Sequence, residues 1–207
     1  GKEINPYNLL DAQKLGISVI FQEFNLIPKL SIAANIFIGS ESVNQLKFLN
    51  NHEMEEKSKE FLSEVSLDLN PETKIEHLDS ARKQLVEIAK ALSRDSQLII
   101  MDEPTSSLSE KEIVNLFRLI NKLKNKGVSI LYISHYLDEV FQIADRLSVL
   151  RDGKMVDTLN IKDTDIETVV RKMIGTSLSG FYKKDNVPQP EIIHSVENLS
   201  KNGIYED

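Results

Sequence analysis

The sequence predicts an α/β fold with a mostly parallel sheet and a helical insertion. Three observations carry that expectation. Between residues 96 and 150, short apolar runs alternate with helical periodicity, the pattern of parallel strands joined by helical crossovers. From 17 to 93 the pattern is mostly helical and interrupts this alternation. The apolar runs also end in polar side chains, and the carboxyl ends of strands are where open α/β sheets bind ligands.

Residues 6–15 have helical character and lead through Gly16 into the apolar run Ile17–Phe21. Residues 31–38, Ser-Ile-Ala-Ala-Asn-Ile-Phe-Ile, read as a short helix capped by Ser31. Residues 51–66 place Met54, Phe61, Leu62 and Val65 on one apolar face, and Asn70-Pro71 marks a turn. Residues 80–93 form an amphipathic helix through Leu85, Ile88, Ala89 and Leu92. Leu98–Met101 suits a strand buried on both faces. Residues 109–126 space Ile113, Leu116, Phe117, Ile120 and Leu123 as a helix, with Gly127 as its stop. Val128–Ile133 reads as a second buried strand. A helix over about 136–143 leads to Arg146–Leu150 and a hairpin turn at Asp152-Gly153. A last helix covers 165–174. Residues 176–190 have linker composition, and strand character returns from Glu191 to Leu199.

The chain has 207 residues, with 25 Lys and Arg against 32 Asp and Glu, for a net charge of −7. That acidic balance argues against a broad nucleic-acid-binding face, which needs a basic surface. No Cys is present, which excludes a disulfide framework and a thiolate metal site. No apolar stretch approaches the length of a membrane span.

Asp102 and Glu103 follow the apolar run 98–101 directly, and Pro104 ends the strand because it has no N–H for a ladder. Strand alternation points the two acids in different directions. One can hold a metal while the other faces a water. Ser134 and His135 end the next apolar run, which a right-handed crossover places in the same sheet. His135 is then expected at the same edge as Glu103, able to donate to phosphate or hold a water. His52, His77 and His194 read as solvated. Gln22 ends the run at 17–21, and its carbonyl oxygen can ligate Mg²⁺.

Taken together, these features resemble the nucleotide-binding domain of ABC ATPases, a P-loop NTPase core, over roughly residues 1–175. Asp102-Glu103 resembles the Walker B strand and its adjacent catalytic glutamate. Ser106-Ser107-Leu108-Ser109 falls on the D-loop, His135 on the switch histidine and Gln22 on the Q-loop. Leu78-Asp79-Ser80-Ala81-Arg82-Lys83-Gln84 falls on the signature motif before its helix. Phe21-Gln22-Glu23-Phe24-Asn25-Leu26, Gln84–Leu92 and Asp102–Leu108 look most like the ATP-binding subunits that import ribose, galactose, xylose and related sugars.

The resemblance implies ATP and Mg²⁺ as cofactors, with Asp102 and Gln22 as metal ligands and Glu103, His135 and Gln22 as hydrolytic groups. It implies nucleotide contacts from Asp79, Ser80, Ala81, Arg82, Gln84, Ser107 and Ser109. The implied partners are transmembrane permease subunits, a periplasmic or extracellular sugar-binding protein acting indirectly, and a second ABC domain in the same chain. Glu197-Asn-Leu-Ser200 resembles the start of that second domain. The helical insertion then spans about 24–93, and the protein sits peripherally on the cytoplasmic face of the plasma membrane.

Two features depart from the family pattern. No G-x-x-x-x-G-K-[ST] occurs, and the expectation is a chain truncated at both ends. The family signature is Leu-Ser-Gly-Gly-Gln, whereas here Asp79 stands at the Ser position, Ser80 and Ala81 at the two Gly positions, and Arg82 at the Gln position. A carboxylate at 79 would face phosphate with like charge, but Asp also suits the N-cap of the helix that follows. The competing functions are a soluble DNA-repair ABC ATPase and a non-catalytic interaction fragment. The compact, Cys-free segment between Gln22 and Leu78 has no sustained heptads and disfavours the first.

Overall fold

The computed structural model describes residues 3–43 and 48–175; the expected linker and second-domain start lie outside the described residues. The chain divides into two compact units. Of the described residues, one comprises 3–43, 48–147 and 158–166, and the other 148–157 with 167–175.

The first unit is built on a three-stranded parallel sheet in the order β1-β2-β3. The strands are β1 (Ile17–Ile20), β2 (Leu98–Asp102) and β3 (Ser129–Ile133). Ile20 pairs with Met101, Met101 with Tyr132, and Asp102 with Ile133. All three strands therefore end at one edge, and whatever follows them in sequence gathers there. Helix α1 (Leu9–Lys14) precedes β1 and is shorter than its sequence pattern, because the Asn8 side chain caps it by accepting from the Asp11 N–H at 2.9 Å.

Between β1 and β2 run α2 (Ile32–Ile36), α3 (Asn51–Glu64) and α4 (Ser80–Leu92). Ser31 caps α2 and Asn50 caps α3, each through a side-chain oxygen. Asn35 on α2 is fully buried. Its amide accepts from the Ile27 N–H at 2.7 Å and donates to the carbonyls of Ile27 and Ser31 at 3.1 and 2.9 Å. The loop before α2 is thus stapled to the helix. Helix α5 (Glu110–Asn125) connects β2 to β3 and opens with a capping box, Ser109 N–H donating to Glu112 Oε2 at 2.8 Å.

The core gathers Ile20, Ile99 and Met101 from the sheet with Ile32 and Ile36 of α2, Leu62 of α3, Val86 and Ile88 of α4, and Phe117 and Ile120 of α5. Here one expectation is corrected. The apolar strands are not buried on both faces: Ile99 and Met101 are buried, while Leu98 and Ile100 are only partly covered. On β3 the expected buried strand has Ser129, Leu131 and Ile133 exposed. The described helices cover one pleat of the sheet, and an apolar run does not encode which pleat they cover.

Helix α6 (Leu137–Ile143) follows β3 in the first unit. Strands β4 (Arg146–Arg151) and β5 (Lys154–Asn160) then form a two-stranded sheet. Their turn places Asp152 at φ +52° and Gly153 at +72°, the left-handed pair that a tight hairpin requires. In the second unit, α7 (Ile166–Ile174) carries the buried Val169, and Lys172 pairs with Asp157 at 2.8 Å.

Candidate functional site

The common strand edge sets the site. Gln22 lies two residues beyond β1, Glu103 one beyond β2 and His135 two beyond β3. The three side chains meet. Gln22 Nε2 donates to Glu103 Oε2 at 3.3 Å, and His135 Nδ1 lies 2.8 Å from Glu103 Oε1. The backbone repeats the link, with Glu103 N–H donating to the Ile133 carbonyl at 2.9 Å.

Glu103 has φ +47°, in the left-handed region that non-glycine residues rarely occupy. The residue before a proline is normally extended, so Pro104 adds to the strain. Such strain persists where the surroundings over-determine the conformation, and it concentrates at functional sites. The result turns Glu103 away from the path of β2 and towards the loop after β3. Its side chain is 25 % exposed, against 56 % for His135, so the carboxylate is the more sheltered member of the pair.

Asp102 lines an open cleft of about 510 Å³ with Phe21, Gln22, Glu23, Phe24 and Asn25. Gln22 directs its nitrogen at Glu103, so its oxygen is the atom left for a cation. A carboxylate and an amide oxygen on one cleft are hard donors that fit Mg²⁺, which takes one or two carboxylates and completes its shell from water and substrate phosphates. Among the described residues no group of three or more His, Cys, Asp or Glu could hold a metal ion.

The remaining expected residues lie elsewhere. Asp79 is the N-cap of α4: it accepts from the Arg82 N–H at 2.8 Å, and the Arg82 guanidinium sits 3.7 Å from its other oxygen. Ser80 and Arg82 are exposed at that helix start and Ala81 is half-buried. Gln84 is 2 % exposed and so is closed to a surface ligand. Ser109 belongs to the capping box of α5, and Ser107 Oγ is buried without a hydrogen-bond partner.

Sequence reasoning missed two polar groupings. On α4, Glu87 and Lys90 are 5 % and 8 % exposed, and Lys90 Nζ donates to the Asn25 carbonyl at 2.7 Å. They were hidden because charged residues on an amphipathic helix read as a solvated flank. Beside the Glu103–His135 pair, Glu139 collects the hydroxyls of Thr105, Tyr132 and Ser134. Its signal was a Glu four residues after His135, in the first turn of the helix expected there.

Comparison with known proteins bears on the family and the fold. Residues 1–106 match the family described as ABC transporter. The ribose import ATP-binding protein RbsA of Bacillus licheniformis is 42 % identical over 207 residues, covering 100 % of this chain and 42 % of that protein. Among solved structures, the ADP conformation of MJ1267, an ATP-binding cassette of an ABC transporter, matches with a TM-score of 0.67 at 26 % identity, covering 84 % of this chain and 74 % of the other. The dimeric post-hydrolysis state of the cassette MJ0796, bound to ADP and Pi, matches at 0.62 and 25 % identity, covering 70 % and 62 %. The chain spans about 40 % of the length of the curated relatives it matches.

Proposed function

The chain belongs to the ABC transporter family, and from that premise we propose that it is part of an ATP-binding subunit that couples MgATP hydrolysis to carbohydrate import through a membrane permease. The observation that carries this reading is Glu103 held between Gln22 and His135 at the shared strand edge. The name of the ribose import relative supports the substrate class.

In this reading Glu103 is the general base. It orients the attacking water and accepts its proton, a role that suits a sheltered carboxylate within hydrogen-bond reach of the cleft. Gln22 and His135 hold it so that neither oxygen has to search for its position. Asp102 and the Gln22 oxygen would hold Mg²⁺, which when bound neutralises phosphate charge. His135 Nδ1–H faces Glu103, so a neutral imidazole has only an acceptor at Nε2; the imidazolium donates from both nitrogens and can reach a phosphate oxygen as well. Asp79, Ser80, Ala81, Arg82, Ser107 and Ser109 would contact nucleotide across a pair of domains. Gln84 would join them only after the N-terminal turn of α4 shifts.

The partners in this reading are the permease, a second ABC domain and, indirectly, a sugar-binding protein. The protein then works peripherally at the cytoplasmic face of the membrane. No helix of the described residues is long and apolar enough to cross a bilayer. The test uses the full-length protein assembled with its permease in vesicles. ATP-dependent uptake of labelled ribose or galactose, lost in Glu103→Gln, is the expected result. Hydrolysis that is indifferent to Glu103→Gln and to His135→Ala would overturn the reading.

A further inference from the structure

One oxygen of Glu139 stands behind the Glu103–His135 pair. Glu139 Oε2 accepts from Tyr132 Oη at 2.7 Å, from Thr105 Oγ1 at 2.9 Å and from Ser134 Oγ at 3.3 Å. Ser134 Oγ in turn accepts from the Tyr136 N–H at 3.0 Å. The donors come from two different chain segments. Thr105 lies two residues after Glu103 and is 4 % exposed. Tyr132 and Ser134 lie at the end of β3, and Ser134 and Tyr136 flank His135.

We propose that Glu139 is a positioning residue for hydrolysis: it ties the turn after Glu103 to the loop bearing His135, and so sets the 2.8 Å contact between those two side chains. The inference rests on the hydrolytic reading of Glu103 and His135.

Chemistry favours a carboxylate in this place. Ionised, it only accepts, and a charged acceptor strengthens each of the three hydroxyl bonds. Burial and the adjacent Glu139 carboxylate push the Tyr132 hydroxyl well above its usual pKa, so it stays a donor. The Tyr132 ring is fixed independently, edge-on to Phe117 of α5 at 6.5 Å between centroids. The strap therefore runs from the helical layer to both catalytic loops. Without it, Glu103 retains the hydrogen bond from its N–H to the Ile133 carbonyl, the bond from the Ser106 N–H to its own carbonyl at 3.3 Å, and the side-chain contacts already described.

The experiment compares single-turnover ATP hydrolysis and ATP binding in the full-length, permease-assembled protein. Glu139→Ala is expected to lower kcat about 10- to 100-fold, the usual effect of removing a support for a catalytic group, with ATP affinity within about twofold. Glu139→Gln keeps an acceptor oxygen and should recover part of the rate. In a His135→Ala background, Glu139→Ala should cost less than about twofold more, because groups that act as a unit are non-additive. If Glu139→Ala fails to fold, Tyr132→Phe and Thr105→Val each remove one donor and should lower kcat several-fold at unchanged affinity. Unchanged kcat in these variants, full additivity with His135→Ala, or affinity lost in step with kcat would overturn the proposal. Loss of effect from Glu103→Gln or His135→Ala themselves would instead bring down the hydrolytic reading on which it stands.

Discussion

Glu103 Oε1 lies 2.8 Å from His135 Nδ1 while Oε2 receives the Gln22 amide at 3.3 Å, so one carboxylate joins the ends of three adjacent parallel strands. The register explains why. With Ile20, Met101 and Tyr132 level across the sheet, Gln22, Glu103 and His135, each one or two residues beyond its strand, fall within reach of one another. The left-handed backbone at Glu103 then turns its side chain into that gap, at a cost of about 1–3 kcal/mol. The contacts to Gln22 and His135 offset part of this cost.

On the proposed reading, replacing Glu103 with Gln keeps the shape and removes the general base. In the assembled full-length protein we expect ATP binding to survive and single-turnover hydrolysis to fall by about 10²–10⁴-fold at the site this domain builds. His135→Ala should fall in the same range, with Gln22→Ala losing less, since its bond to Glu103 is the longer one. Where a second ABC domain pairs with this one, as proposed, the assay separates the two sites. An unchanged rate in Glu103→Gln at this site would refute the role of the carboxylate.

Much of this arrangement was legible in the sequence, and the rest failed for identifiable reasons. Strand β2 could be placed because Leu98–Met101 is uniformly apolar and Asp102-Glu103-Pro104 ends it abruptly. The meeting of Gln22, Glu103 and His135 follows once three apolar runs are assigned to one parallel sheet. Backbone strain at Glu103 was illegible, since Pro104 biases its predecessor the other way. The half-open face of β3 was illegible because apolar residues fill both pleats. The charges on α4 misled for a different reason. The helix touches α2, α3 and β1 at once, so its supposed polar flank is enclosed.

Asn35 is the clearest stability test in the helical region. It is 0 % exposed, and three hydrogen bonds join it to Ile27 and Ser31. Asn35→Ala leaves those backbone groups to find new partners in a partly buried loop. We expect a loss of about 1–3 kcal/mol, read as a lower denaturant midpoint of the full-length protein. Asn35→Asp keeps the acceptor for the Ile27 N–H but sets a buried carboxylate against the Ile27 and Ser31 carbonyls, and should lose more than Asn35→Ala. A midpoint unmoved by Asn35→Ala would show that water replaces the staple.

Glu87 gives a pH prediction. Burial pushes its carboxyl above the usual 4.5, opposed by Lys90, the Asn25 N–H and Arg94. The folded protein therefore keeps a proton that the unfolded chain has lost. Stability from this group is present below 4.5 and is lost as pH rises through the folded value. Lys90 is lowered from 10.5 by burial, with Glu87 opposing, so its contribution is present above 10.5 and is lost as pH falls through its folded value. Glu87→Gln should flatten the acid-side decline, and Lys90→Met the alkaline-side rise. Parallel stability–pH curves for wild type and Glu87→Gln would exclude the effect.

Asp79 separates two readings of the unusual signature segment. As a cap, its Oδ1 satisfies the Arg82 N–H at the start of α4, and Arg82 shields Oδ2. As a carboxylate at a phosphate-facing helix start, it opposes the anion that the helix dipole would attract. Asp79→Ala removes both roles and should destabilise the protein by about 1 kcal/mol, the usual loss on deleting an N-cap. Asp79→Ser keeps a capping oxygen and removes the charge, so stability should hold. If the segment faces nucleotide on a partner domain, Asp79→Ser should speed hydrolysis at that partner site and leave the site built by Glu103 nearly unchanged. Thermal unfolding together with site-resolved single-turnover kinetics checks both halves. A slower partner site in Asp79→Ser, at wild-type stability, would mean that the carboxylate itself serves the reaction and that like-charge repulsion is not what governs this position.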